Sequence, residues 1–350
     1  MIQRTPMRIE ARAYPERGEN SEPASWQQIL ASSINRPAEL LERLGLCPEQ
    51  WLAGADAGHL LFPIRVPEPF LARMEYGNPN DPLLRQVLPL VDETHARAGF
   101  VADPLVEADA MITTGLIRKY KSRALLMVTG QCAINCRYCF RRHFPYNEQR
   151  LNPQDRQTVL NTLAQSPEIN EVIFSGGDPL AANDKLLAQW AQALDQIPHL
   201  RRLRIHTRLP VVIPQRICDA LLQWIRATRL RVVVVLHINH PAEIDQSTAQ
   251  ALQRLADAGV TLLNQSVILR GVNDNADVLE QLSERLFDAG VLPYYLHAFD
   301  PVSGAHHFAV PDSEARALTR DLLERLPGFL VPRLVRELPG ASSKTPLDLG

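Results

Sequence analysis

From about residue 124 onward, short apolar runs alternate with amphipathic stretches. The pattern predicts strands over 124–129, 171–175, 202–206, 231–237, 261–269 and 292–298, with helices between them, for example over 184–194 and 249–258. Strands and helices in β/α alternation imply a parallel sheet. A polar residue or a glycine closes most of the strands, at Gly130, Ser175, His206, His237 and Gly271, so polar groups converge on one mouth. Six such units fall short of a closed eight-fold barrel. The expected fold is therefore α/β, an open, partial (β/α)6 barrel of TIM-like type with an N-terminal helical extension.

Upstream the rhythm differs. Residues 1–22 are polar and rich in Pro and Glu, with no apolar period, and read as extended or poorly ordered. Short helices open near Ser25-Trp26 and at Pro37, where proline suits a first helical turn. Pro63, Pro67, Pro69, Pro79, Pro82 and Pro89 break residues 61–105, which are expected to wrap a surface rather than form a separate core. The expected organisation is a helical and wrapping segment over 1–105, a partial barrel over 106–325 and a C-terminal segment over 326–350. No internal repeat or low-complexity segment is visible.

Composition narrows the classes. The chain has 350 residues, 45% hydrophobic and 22% charged, enough for a large core. A net charge of −2 gives no basic field for nucleic acid or a membrane surface. No apolar run approaches the roughly 20 residues of a membrane helix. The N-terminus lacks the apolar stretch of a signal peptide, so a cytoplasmic location is expected. Five cysteines, three of them clustered, do not make a disulfide framework. Cys47 and Cys218 fall in helical-looking segments and read as small packing residues.

The clustered cysteines are Cys132, Cys136 and Cys139, spaced C-x3-C-x2-C. Three thiolates from one loop can hold three irons of a [4Fe–4S] cluster and leave the fourth open to chelate a ligand. This spacing, with Tyr138 before the last cysteine, resembles the S-adenosylmethionine radical enzymes. The competing reading is a Cys3His zinc tetrahedron completed by His143. A second short ligand cluster is missing from the sequence, and the loop follows a strong apolar strand, as a cofactor loop does.

Other polar positions are ambiguous on their own. Ser175-Gly176-Gly177-Asp178 reads either as a turn whose backbone meets a ligand ammonium or as an ordinary βα turn capped by Asp178. The run from Arg118 to Arg123, with Lys119, Tyr120 and Lys121, is either a solvated charge run or a phosphate and ring site. His237 and His240 end the fourth predicted strand, as ligand contacts or as structural histidines. Gln265 is polar inside a strand and is expected to face the barrel interior. Lys344 sits among small residues, Ser343 and Thr345, on a loop that suits either a surface lysine or a Schiff-base lysine.

Taken together, these motifs resemble the lysine 2,3-aminomutases. The resemblance is carried by the cysteine loop through Arg142, Ser175-Gly176-Gly177-Asp178-Pro179-Leu180, Asn239-His240-Pro241, Asn264-Gln265-Ser266-Val267, Pro293-Tyr294-Tyr295 and Ser343-Lys344-Thr345-Pro346, with Pro79-Asn80-Asp81-Pro82 and Asp103-Pro104-Leu105. It spans residues 60–350. The nearest branch is the bacterial one that makes β-lysine for modifying elongation factor P. Residues 26–46 fit that branch, and so does the end at Gly350, where fermentative aminomutases carry a further assembly segment.

The resemblance implies three cofactors: a [4Fe–4S] cluster, S-adenosylmethionine and pyridoxal phosphate. It implies Cys132, Cys136 and Cys139 as cluster ligands, and Ser175, Gly176, Gly177, His237 and Gln265 as S-adenosylmethionine contacts. Lys344 corresponds to the lysine that carries pyridoxal phosphate, with Lys119, Tyr120 and Arg123 around its phosphate and ring. Lys119 stands where the fermentative enzymes have arginine. Arg141 matches the clamp for a substrate α-carboxylate. Asp300 and Glu337 match the acids for a side-chain ammonium, Glu337 being one methylene longer than the usual aspartate.

The implied reaction is a radical 1,2-amino shift converting L-lysine to β-lysine, expected as the R isomer. A low-potential reductase or flavodoxin-type donor, elongation factor P with its lysyl ligase, and a homo-oligomer are the implied partners. The alternatives are a related aminomutase for another amino acid, such as glutamate, and a zinc-binding protein without catalysis. Two acids at the side-chain positions argue against an anionic substrate.

Overall fold

The computed structural model describes residues 24–350. The polar stretch over 1–22 lies outside the described residues. Among those described, the strands lie in chain order across one ten-stranded sheet. They are β1 (Met111–Thr113), β2 (Leu116–Tyr120), β3 (Arg123–Thr129), β4 (Glu171–Gly176), β5 (Arg202–Thr207), β6 (Arg231–Leu236), β7 (Thr261–Val267), β8 (Leu292–His297), β9 (Arg333–Arg336) and β10 (Thr345–Pro346). From β3 to β9 all neighbours are parallel. The pairs β1–β2, β2–β3 and β9–β10 are antiparallel. The two edge strands do not pair with each other, so the sheet is an open partial barrel, as expected.

The six strands expected from periodicity are β3 to β8, with ends within two residues of the reading. The crossover helices are set by capping and a one-sided apolar stripe. Asn183 accepts from the Leu186 N–H to start Asp184–Asp195, whose Leu187, Trp190, Ala191 and Leu194 are buried at helical spacing. Asp245 caps Gln246–Asp257 and Asn275 caps Ala276–Asp288 in the same way.

Each barrel strand divides its side chains between two environments, because successive residues point to opposite faces. In β5, Leu203 and Ile205 are fully buried in the main apolar core. The alternate residues Arg204 and His206 line the barrel interior. The same parity brings Ser175 of β4, Gln265 of β7, and Tyr295 and His297 of β8 to the interior.

The N-terminal helices Trp26–Ala31, Pro37–Arg43 and Pro48–Leu61 precede the proline-broken stretch. That stretch has no core of its own: Phe70, Leu83, Leu84 and Val87 are fully buried in the same apolar cluster as the barrel. It also supports the cysteine loop. Asn135 N–H donates to the Arg65 carbonyl at 3.3 Å, and Arg65 Nη1 donates to the Cys132 carbonyl at 3.0 Å.

Candidate active site

A cavity of about 260 Å³ opens at the carboxyl ends of the strands. Its wall contains Cys132, Cys136 and Cys139, together with Ser175, Gly176, Gly177, His237 and Gln265. Lys119, Tyr120, Arg123 and Lys344 line it as well, as do Arg141, Asp300 and Glu337. Every site residue that the family resemblance implies therefore lines one space. His240 does not: its Nδ1 accepts from the Ala242 N–H and caps the turn Pro241–Glu243.

The cysteine loop is anchored by buried charge. Arg137 donates Nε to Glu93 Oε1 at 2.8 Å, and Arg142 Nη2 donates to Glu93 Oε2 at 2.6 Å. All three side chains are essentially inaccessible. Burial pushes the Cys139 thiol up to about 11, and neighbouring Cys136 adds to this. The Cys132 thiol is raised well above its ordinary range for the same reasons. Cys132 and Cys139 held up in this way ionise only beside a strong positive charge, which iron would supply. His143 is turned away, its Nε2 3.1 Å from the Ser303 carbonyl. Cys47 and Cys218 bond instead to Glu49 and Asp184 at helix starts.

The glycine turn after β4 is stitched onto that loop. Gly177 N–H donates to the Thr129 carbonyl at 2.8 Å and Asp178 N–H to the Gln131 carbonyl at 2.7 Å. Gly176 has φ +123°, and a Cβ there would lie 2.2 Å from the Thr129 carbonyl oxygen. A Cβ on Gly177 would lie 2.4 Å from the Gln131 carbonyl oxygen. Both positions therefore need glycine. Asp178 does cap the following turn, accepting from Leu180 N–H at 3.0 Å. It also accepts from Thr207 Oγ1 and from the N–H groups of Arg208 and Leu209, locking β4 to the end of β5.

Across the cavity runs a chain of alternating charges. Arg141 grips Glu107 with Nε and Nη2 at 2.6 and 2.8 Å. Its Nη1 donates to Ser175 Oγ at 3.0 Å. Glu107 also pairs with Lys119 at 2.8 Å. Lys119 in turn donates to Glu337 at 2.6 Å, and Lys344 donates to the other oxygen of Glu337 at 2.7 Å. Burial alone would raise the Glu107 carboxyl, but Arg141 and Lys119 outweigh it and hold it down at about 2. Lys344 and Lys119 overcome burial at Glu337 and hold that carboxyl well below its usual range. Asp300 differs. Burial, reinforced by the Glu337 charge, pushes it up to about 6.

Aromatic faces complete this end. Arg123 stacks over the Tyr120 ring at 4.0 Å and Lys344 lies 5.7 Å over Tyr295. Arg204, paired with Glu171, brings a further cation to the wall. Burial drives His206 and His297 well below the ordinary histidine range and His237 down to about 3, so all three are neutral donors or acceptors.

Residues 126–282 match the model of the Radical SAM superfamily. The chain is 53% identical, over 93% of its length and 94% of the other's, to "L-lysine 2,3-aminomutase" of Escherichia coli (strain K12). It is 50% identical to the protein of that name from Haemophilus influenzae, over 95% of this chain and 98% of that one. Against the Clostridium subterminale protein of the same name it is 37% identical, over 92% of this chain and 77% of that one.

The chain belongs to the L-lysine 2,3-aminomutase family.

Membership in this radical S-adenosylmethionine family implies a [4Fe–4S] cluster and S-adenosylmethionine. The aminomutase site fits both on its own geometry: three thiols share one wall of the cavity, and the glycine turn has no room for a side chain. Sequence reading missed Glu107, Arg204, Arg208 and His297, and marks His206 only as a polar strand end at the mouth. For Arg204 and His206 a signal existed, since they share one parity of β5 opposite two apolar residues.

Proposed function

We propose that this chain is an L-lysine 2,3-aminomutase, an isomerase that moves the α-amino group of L-lysine to C3. The product is expected as (R)-β-lysine, destined for modification of elongation factor P. Near-full-length likeness to proteins named for this reaction supports the reading. The observation that carries it is one cavity joining the three cysteines to Lys344, Asp300 and Glu337.

When bound, the cluster with S-adenosylmethionine would supply hydrogen-atom abstraction, and pyridoxal phosphate would supply a conjugated ring system able to delocalise spin. Cys132, Cys136 and Cys139 would hold the cluster. Ser175, Gly176, Gly177, His237 and Gln265 would meet S-adenosylmethionine. Lys344 would hold pyridoxal phosphate through its amine, and Arg123, Lys119 and Arg204 would form a cationic cradle for the phosphate beside Tyr120. Asp300 and Glu337 meet the substrate's side-chain ammonium, whose burial is costly without an opposite charge. Arg141 presents Nη1 toward Ser175 and would orient the α-carboxylate from there. The walls keep water from the reacting carbons and hold them at short range.

The test is direct. Protein reconstituted anaerobically with iron, sulfide and pyridoxal phosphate is incubated with L-lysine, S-adenosylmethionine and dithionite. β-Lysine of R configuration is the expected product, and its formation should need pyridoxal phosphate. No isomerised lysine from protein with full iron content would sink the proposal. The cellular role is checked by the mass of elongation factor P, which should lose its β-lysyl adduct when the gene is deleted.

A further inference from the structure

Around Cys136, on the wall of the same cavity, lies a second buried polar network. Its centre is Arg208, which directly follows β5 and has a side chain only 6% exposed. Nη1 lies 2.8 Å from Cys136 Sγ and 2.9 Å from Tyr138 Oη. Nη2 donates to Gln86 Oε1 at 2.6 Å and to Glu243 Oε2 at 2.8 Å. The backbone N–H of Arg208 is held by Asp178 at 2.8 Å. Glu243 is itself fixed, its Oε1 accepting from the N–H groups of Asn239 and His240 at 3.0 and 3.1 Å. Among the described residues, no other guanidinium or ammonium donates a hydrogen bond to any of the three cysteine sulfurs of this loop.

We propose that Arg208 is a positioning residue that sets the reduction potential of the iron–sulfur cluster through its hydrogen bond to Cys136. The proposal rests on the assignment of the three cysteines as cluster ligands. Cluster potentials respond to charge and to hydrogen bonds on the ligand sulfurs. The step concerned is the gain of one electron by [4Fe–4S]2+ from a low-potential one-electron donor such as dithionite, giving [4Fe–4S]+. No bond or proton need move. The reduced cluster carries one more negative charge, so a cationic donor on its sulfur favours that state. The guanidinium is buried, which strengthens the effect. Glu243 lies on the far side of the guanidinium and opposes it with the other sign. Gln86 and Glu243 hold the fork in place against Cys136. Arg208 therefore serves the electron, while Arg141 is left to face Ser175.

The experiment is a redox titration followed by electron paramagnetic resonance, on anaerobically reconstituted protein without S-adenosylmethionine. Arg208→Gln should lower the ratio of reduced to oxidised cluster at a fixed potential about tenfold, equal to about 59 mV for one electron. Arg208→Lys should fall between wild type and Arg208→Gln. Glu243→Gln, which removes the opposing charge, should move the ratio the other way. A merely structural role would not produce shifts of opposite sign at unchanged iron content. If Arg208→Gln fails to hold iron, Arg208→Lys and Glu243→Gln decide by the same signs. Unmoved potentials in variants with full iron would overturn the role of Arg208 and leave the cysteine assignment standing. Wild-type protein that takes up no cluster would overturn both.

Discussion

The Lys344 ammonium rests 2.7 Å from a Glu337 oxygen, so the proposed cofactor lysine and a proposed substrate acid are partners. The other oxygen of Glu337 holds Lys119. The acid is thus satisfied by the protein's own cations. Were Lys344 to hold pyridoxal phosphate, its nitrogen would no longer be the ammonium that Glu337 pairs with, and that oxygen would be open to another cation.

Glu337→Gln should accordingly weaken both partners. The KM for lysine should rise by at least tenfold, and cofactor retention after gel filtration should fall. Lys344→Ala should abolish borohydride-trapped cofactor altogether. Trapping at Lys119 or Lys121 instead would contradict the assignment.

Asp300 should make stability depend on pH in a distinctive direction. Its carboxyl lies near 6 in the folded chain, against an ordinary 3.8. Between those values the folded state binds more protons than the unfolded one, so stability falls as pH rises through the window. Asp300→Asn should therefore stabilise the protein at pH 7 by about 1–3 kcal/mol. The gain should vanish below about pH 4. Denaturant titrations at both pH values check this. The same variant should raise the KM for lysine, because the ammonium loses its charge partner.

Cys132→Ala, Cys136→Ala or Cys139→Ala should each abolish iron retention while leaving circular dichroism unchanged, since the ligands sit on a loop. Full iron in all three variants would refute the cluster site.

Glu93→Gln should destabilise by roughly 3–5 kcal/mol, because two buried guanidinium groups lose their shared anion. Chemical denaturation measures it. A loss under 1 kcal/mol would mean that the cysteine loop does not depend on this anchor.

Gly176→Ala forces a Cβ against the Thr129 carbonyl at a φ that alanine avoids. S-adenosylmethionine affinity should drop at least tenfold, with iron content retained. Unchanged affinity would remove the turn from the binding site.

Local signals explain what the sequence made legible. The apolar periods of β3 to β8 and the cysteine spacing are short-range patterns, and both are where they were read. The strands flanking β3 to β8 escaped notice for physical reasons. Leu116–Tyr120 of β2 looks like the start of a charge run, and β10 is only two residues long. Glu107 was invisible because its meaning lies in Arg141 and Lys119, which meet it only after the sheet curls. Arg208 reads as one more basic residue until β5 sets it against Cys136.

The alternation in β5 also has a consequence for how this gene can change. Its two sets of side chains are interleaved residue by residue, one for the core and one for the chemistry. Substitutions can alter either set alone. Inserting or deleting a single residue cannot: it would carry Arg204 and His206 into oil and swing Leu203 and Ile205 into the reaction chamber, failing on both counts at once. Such strands can drift by point mutation but are closed to odd-numbered changes of length. Variation in length must therefore collect in the loops and helices that join them.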